Sequence, residues 1–128
     1  MRIGTRHHER GSNLVEAALV MPLLLFMMAI VADLGRAYFV SIAVIDAARE
    51  GARYGVTNQN STEMCARALA EAEYQPLPMT LTCVADLGTG LSGGTVKVTV
   101  SCNLPLIMGG LVGRSSIPIS YRAAFRIR

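Results

Sequence analysis

One stretch of the chain, from Leu14 to Ala32, contains 19 residues and a single charged side chain, Glu16. As an α-helix this stretch would be about 28 Å long, which is close to the ~30 Å hydrocarbon core of a bilayer. The 96 residues that follow it have the mixed composition of a small domain. The chain therefore has room for one membrane-spanning helix and one module outside the lipid, and neither a fully buried enzyme core nor a disordered chain fits it.

Charge near the N-terminus gives the membrane segment a direction. Arg2, Arg6 and Arg10, set against Glu9, supply +2 of the formal net charge of +3. Basic residues favour the cytoplasmic side of a membrane helix, so we expect the residues after the apolar stretch to lie outside the cytoplasm. The chain has a single Lys, but four arginines lie in its last 15 residues: Arg114, Arg122, Arg126 and Arg128. We interpret them as a solvated strand face rather than a nucleic-acid interface, and we predict no nucleic-acid partner.

The apolar stretch is predicted to stay attached rather than to be removed as a secretory signal. Signal peptidase needs small residues one and three positions before its cut. A cut after Ala32 would place Ile30 at the third position, and a cut after Ala29 would place Met27 there. Neither site suits the peptidase, and the stretch is longer than a typical signal core.

A carboxylate, Glu16, lies near the start of this apolar stretch, five residues after Gly11. At the centre of a bilayer a carboxylate costs about 2.5–3.5 kcal/mol, and it costs less near the headgroups. One interpretation is that Glu16 lies close enough to the headgroups to be tolerated. The other is that cleavage between Gly11 and Ser12 creates an α-amine, which pairs with Glu16 of a neighbouring parallel helix and sets the axial register.

The segment Gly11-Ser-Asn-Leu-Val-Glu16 resembles the cleavage site of type IV prepilins. Three blocks in the same order, 14–25, 31–38 and 47–55, are similar to the TadE/TadG-like proteins of tight-adherence (Flp-type) pilus systems, and a weaker likeness returns at 117–128. The resemblance implies a pseudopilin, or minor pilin, that a prepilin peptidase cuts after Gly11. The main alternative is an uncleaved single-pass envelope protein whose outer module binds a partner. A third hypothesis is a secreted or envelope hydrolase with an unrecognised site.

The resemblance also implies a location and partners. The protein would be anchored in the bacterial inner membrane, where it would contact the prepilin peptidase, other pilin or pseudopilin subunits and inner-membrane pilus assembly proteins. Two departures from ordinary type IV pilins favour the TadE-like branch: Ser12 stands where the mature chain usually begins with Phe, and Pro22 comes much earlier than the usual helix proline. Pro22 should kink the helix within the membrane by removing one backbone hydrogen bond.

Beyond the membrane, the helix is predicted to continue as far as Gly55, which suits a helix C-terminus. Its predicted inward face, at helical spacing, consists of Leu34, Ala37, Tyr38, Ser41 or Ile42, Ile45, Ala48 and Ala52. Small residues around Gly51 would allow close packing, either on the chain's own sheet or against another helix. A second helix is predicted to begin at Asn60, an N-cap with Glu63 three residues on, and to end at Pro76.

Alternating apolar and polar residues predict strands over 79–85, 96–102 and 117–127, with a Gly-rich turn over 87–94. The expected fold class is α+β: an N-terminal transmembrane helix that continues into a long pilin-like helix, a short second helix, and a three-stranded, mostly antiparallel sheet. The predicted organisation is a prepilin leader over 1–11, a transmembrane helix over 12–33 and an extracytoplasmic domain over 34–128. The uncharged segment 104–112 has three possible positions: in the core, on the membrane surface or against a neighbouring subunit.

Three cysteines, Cys65, Cys83 and Cys102, allow one internal disulfide, which an extracytoplasmic location favours. All three lie on predicted inward faces, so the pairing stays open; we prefer Cys65–Cys83, which would join the second helix to the first strand. We predict no metal, no cofactor and no catalytic residue. Both histidines, His7 and His8, lie in the leader, and no nucleophile–base set or nucleotide-binding motif is present.

Overall fold

The computed structural model describes residues 8–73, 79–88 and 94–127. In chain order its elements are helix α1 (His8–Thr57), helix α2 (Ser61–Glu73), strand β1 (Leu81–Leu87), strand β2 (Thr95–Pro105), the short helix α3 (Gly109–Val112) and strand β3 (Ser116–Arg126). The second half of α1 and the whole of α2 pack on one face of the sheet. The predicted α+β class, with a long apolar first helix, a short second helix and a three-stranded antiparallel sheet, is confirmed.

Helix α1 begins outside the packed part of the structure and ends inside it. Every described side chain from Asn13 to Met28 is exposed. Farther along, one face of the helix is buried against α2 and the sheet. We call Leu14–Ala32 the stem, and the described residues from 33 to 127 the module. Pro22 lies within the stem and α1 continues through it, so a kink at this position stays a prediction.

The buried face of α1 agrees with the predicted one only in part. Leu34, Tyr38 and Ile42 are 63%, 71% and 39% exposed, so the prediction that they face inward is wrong. Ala48 and Ala52 are buried as predicted, and the rest of the buried face consists of other small side chains, among them Val40, Ala43, Val44 and Ala47. Small side chains are buried here because α1 lies close to both α2 and β2, and a tightly packed interior has no room for larger ones.

Helix α2 begins with the predicted cap. The side-chain oxygen of Asn60 accepts a hydrogen bond from the backbone N–H of Thr62 at 3.1 Å, and its amide donates to the Glu63 carboxylate at 3.2 Å. The first contact satisfies one of the free N–H groups at the helix start. The Tyr54 hydroxyl donates to the same carboxylate at 2.7 Å, which links the end of α1 to the start of α2. The predicted helix end at Pro76 lies outside the described residues.

The three strands form one antiparallel sheet in the order β1-β2-β3. In its register, Cys83 lies opposite Val100, and Val100 lies opposite Tyr121. Strand β1 begins at Leu81, two residues later than predicted, and most of the predicted Gly-rich turn lies outside the described residues. The alternate residues of the central strand are buried as their pattern predicts, at Val96, Val98, Val100 and Cys102, and the strand continues far enough to bury Leu104 as well.

Two glycines set the distance between α1 and the rest of the module. A Cβ added at Gly51 would lie 2.8 Å from the Ala68 Cβ and 2.9 Å from the Met64 backbone oxygen. A Cβ added at Gly55 would lie 2.6 Å from the Met64 Cε and 2.7 Å from the Val96 Cγ1. All four distances are shorter than a normal contact between heavy atoms, about 3.5 Å or more between carbons. The small residues of α1 therefore pack on the chain's own α2 and sheet, which is one of the two predicted arrangements.

The segment between β2 and β3, residues 106–115, is more ordered than the sequence indicates, and we call it the β2–β3 loop. Leu104, just before it, is 1% exposed and belongs to the core, whereas Ile107 is 59% exposed. The loop includes α3, which the sequence does not predict. Its ends are joined by a hydrogen bond from the backbone N–H of Leu106 to the Ser115 carbonyl at 3.1 Å. The uncharged segment thus starts in the core and continues onto the surface.

Candidate functional site

From Leu14 to Met28, the stem is an apolar surface that no described part of the chain covers. Leu14, Leu19 and Leu24 are 71%, 74% and 61% exposed, and none of the most apolar 18-residue window of α1 is buried. A contiguous apolar surface of this kind is typical of a membrane-spanning or partner-binding element, not of a surface that faces water. Among the described residues, α1 is the one helix that is long and apolar enough to cross a membrane.

Four of the predicted site residues lie on the stem or next to it. Gly11 and Ser12 are in the first turns of α1, and a Cβ added at Gly11 would meet nothing within 4 Å. Glu16 is exposed and lies about 7.5 Å farther along the helix axis than Gly11. Pro22 follows on the same uncovered part of the helix. A second protein could therefore approach all four positions without disturbing the module.

One carboxylate attaches the end of the stem to the module. Asp33, the residue directly after the stem, is 8% exposed. Its two oxygens accept hydrogen bonds from the backbone N–H groups of Ile107 at 3.0 Å and Met108 at 3.1 Å. Arg36, one turn later, lies 3.6 Å from the Asp33 carboxylate and donates to the Pro105 carbonyl at 3.4 Å. The β2–β3 loop is therefore held against α1 at the point where the stem ends.

Asp33 and Arg36 are three residues apart, a spacing at which opposite charges on a helix can pair, but no such spacing relates either of them to the β2–β3 loop. Asp33 and Ile107 are 74 residues apart, so no local pattern relates them. The one available signal is chemical. An acidic residue ends the apolar stretch, and a distant uncharged loop contains backbone N–H groups that need acceptors.

The disulfide belongs to the module, whereas the other predicted site residues lie on the stem or just before it. Cys65 of α2 is bonded to Cys83 of β1, with 5.6 Å between their Cα atoms, and this is the pair we prefer from the sequence. Cys102 is a free, buried cysteine on β2. Burial raises the pKa of the Cys102 thiol, because the charged thiolate is poorly solvated inside the core. The thiol therefore stays protonated and unreactive at neutral pH.

A metal site needs several ligating side chains at one place. Within 8–73, 79–88 and 94–127, no group of three or more His, Cys, Asp or Glu side chains is placed to hold a metal ion. What these ranges do contain is an uncovered apolar helix with one carboxylate near its start, joined firmly to a disulfide-linked module. Such an arrangement suits a protein that is held in a membrane and packs against other helices.

One known family matches the N-terminal part of the chain. Residues 11–53 match the family model described as TadE-like protein. The chain contains a TadE-like segment. This segment begins at Gly11, includes the whole stem and ends at Arg53, four residues before the end of α1. Neither a curated protein nor a solved structure matches the chain.

For residues 11–53, the resemblance to TadE-like proteins is confirmed. This match relates the uncovered stem to proteins of a known kind. TadE-like proteins are minor pilin-like, structural components associated with Tad pilus systems, and they are not known as enzymes. The segment includes Asp33 and Arg36, but α2, the disulfide and the sheet lie outside it. The match and the uncovered stem lie in the same part of the chain, and the stem is long and apolar enough to cross a membrane.

Proposed function

We propose that this chain is a pseudopilin, or minor pilin, that takes part in the assembly of a tight-adherence type IV pilus. A prepilin peptidase cuts it between Gly11 and Ser12, and the stem then stays in the bacterial inner membrane with the module on the extracytoplasmic side. Its partners are that peptidase, other pilin or pseudopilin subunits and inner-membrane pilus assembly proteins. The leader over 1–11, the transmembrane helix over 12–33 and the extracytoplasmic domain over 34–128 are parts of this proposal.

The observation that supports the proposal is an uncovered apolar helix inside a TadE-like segment that begins at Gly11. Lipid covers this helix before assembly, and parallel helices of neighbouring subunits cover it afterwards. The basic residues before the stem favour a cytoplasmic N-terminus, which places the proposed cut on the cytoplasmic side of the membrane. The module keeps its own core in either state, because its packing does not use the stem.

We expect Gly11→Ala to leave the leader attached. The peptidase must reach the backbone between Gly11 and Ser12, and glycine leaves the space open. Glycine also weakens a helix by about 1 kcal/mol relative to alanine, which helps this bond to leave the helical geometry. Intact-mass and N-terminal peptide mass spectrometry of membrane-purified protein should find Ser12 as the first residue of the wild type, and an uncut N-terminus in the variant.

The matched control for this experiment is Gly35→Ala. Gly35 also lies in α1, and an added Cβ there would meet nothing within 4 Å, so this variant should be cut as the wild type is. A leader that remains on the wild-type protein would contradict the proposal and support the alternative, an uncleaved single-pass envelope protein whose module binds a partner. One observation favours that alternative: α1 is helical through the proposed cut, and peptidases act on extended backbone.

Glu16→Ala is expected to be cut normally but to assemble poorly. In the proposed assembly, the α-amine of Ser12 in one subunit pairs with Glu16 of a parallel neighbour. Removing the carboxylate leaves a buried charge without a partner, so the amount of crosslinked subunit assembly in membranes should fall by at least about tenfold. Glu71→Ala, at an exposed position of α2, is the control and should assemble as the wild type does. Wild-type levels of assembly by the Glu16→Ala protein would refute the pairing.

A further inference from the structure

The β2–β3 loop lies beside the last turn of the stem. Asp33, directly after the stem, accepts hydrogen bonds from the N–H groups of Ile107 and Met108 at 3.0 and 3.1 Å. Leu106 and Met108 also line an apolar hollow of about 180 Å³, and another part of its wall is Ile30, a stem residue. The loop and the end of the stem therefore form one continuous surface.

The surface of this loop is apolar at its tip and basic at its flanks. Residues 104–113 contain no charged side chain, and Ile107 is 59% exposed. Arg36 lies on α1 at one side, and Arg114 follows the uncharged stretch directly and is exposed. An exposed apolar side chain flanked by arginines suits the boundary between lipid headgroups and acyl chains.

We propose that the tip of the β2–β3 loop, centred on Ile107, inserts into the outer face of the bilayer beside the stem. This inference rests on the proposed membrane-spanning role of the stem, and it adds a second, peripheral membrane contact to the protein. Ile107 enters the boundary between headgroups and acyl chains, and a lipid acyl chain fills the hollow lined by Leu106 and Met108. Arg36 and Arg114 face the lipid phosphates, and the two membrane contacts together fix the tilt of the module.

The position of the surface favours lipid over a second copy of the chain as its occupant. Asp33 is the first residue after the stem, so the loop it binds lies within about 5 Å of the level at which the apolar helix ends. At that level, the space around a single membrane helix is filled by lipid. A second copy would have to displace that lipid, whereas the bilayer covers Ile107 without any assembly.

The full chain contains no Trp, so single Trp substitutions can report positions relative to the bilayer. Ile107→Trp tests the loop and Leu24→Trp tests the stem, while Val84→Trp, at a 67% exposed position of β1, is the matched control. Each full-length variant is placed at low density in phosphatidylethanolamine–phosphatidylglycerol vesicles, with bromine on the acyl chains near the headgroup or near the bilayer centre. The measurements are the wavelength of the Trp emission and its quenching by each brominated lipid.

We expect Ile107→Trp to emit at shorter wavelength than Val84→Trp and to be quenched about threefold more strongly by the shallow bromines. Leu24→Trp should be quenched mainly by the deep bromines. An unquenched Ile107→Trp beside a quenched Leu24→Trp overturns the loop contact and leaves the membrane-spanning proposal intact. An Ile107→Trp emission that shifts only at high protein density, without quenching, assigns the surface to a second copy and also overturns it. An unquenched Leu24→Trp overturns the membrane-spanning role and the loop contact together.

Discussion

Replacing both Cys65 and Cys83 by alanine is expected to lower the free energy of unfolding of the module by about 3 kcal/mol. The two cysteines are 18 residues apart in sequence, and the bond between them restricts the unfolded chain. Without the bond, the unfolded state gains conformational freedom that the folded state does not share. The expected loss is large beside the ~5–15 kcal/mol that stabilises a typical domain.

Urea unfolding of the full chain in detergent micelles measures this loss. The near-ultraviolet circular dichroism of tyrosine is a suitable signal, because Tyr54 and Tyr121 pack against the core of the module. Reductant should lower the unfolding midpoint of the wild type to that of the double variant and should leave the variant itself unchanged. Cys102→Ala is the control, since it retains the disulfide and hence the response to reductant. If the double variant unfolds at the wild-type midpoint, the disulfide contributes no stability.

Gly51→Leu should destabilise the module by about 3 kcal/mol, the upper end of the range typical of overpacked cores. Its first side-chain carbon would already lie 2.8 Å from the Ala68 Cβ and 2.9 Å from the Met64 backbone oxygen. A backbone oxygen cannot rotate away as the end of a flexible side chain can, so α2 must move away from α1. That movement exposes Met64, Ala68 and Ala72, which are the buried residues of α2.

Gly35→Leu provides the matched control for this prediction. Gly35 lies in the same helix with open space around it, and both variants gain about the same helix propensity, somewhat under 1 kcal/mol. The difference between the two variants therefore measures crowding alone. Hydrogen exchange of the full chain in micelles should be faster across α2 in Gly51→Leu only. Equal protection of α2 in both variants would contradict the close packing at Gly51.

The sequence predicted the secondary-structure elements better than it predicted which face of α1 is buried. In the strand over 96–102, the two-residue alternation gave both the element and its buried side, because a strand has only two faces. In α1 after the stem, apolar residues lie on every side of the helix, so their spacing does not single out one face. The structure buries the small residues and exposes Leu34 and Tyr38. Contacts with α2, β2 and β3 decide this, and the two strands come from residues distant in the sequence.

Some features of the candidate site could likewise be predicted from the sequence, and others could not. Composition alone predicted the stem, and a short motif singled out Gly11 and Glu16. The attachment of the β2–β3 loop to Asp33 could not be predicted, since it joins backbone and side chain across 74 residues. For the cysteines, inward-facing patterns left three pairings open. The packing of α2 against β1 rather than β2 brings Cys65 to Cys83.

Helix α1 runs without interruption for 50 residues, which is about 75 Å at 1.5 Å per residue. No flexible linker separates its lipid-facing end from the end that is built into the module. A pull or a torque applied at one end is therefore transmitted to the other through continuous helix rather than through a loop. In the proposed pilus, lifting this helix out of the bilayer thus also orients the sheet as it leaves the membrane.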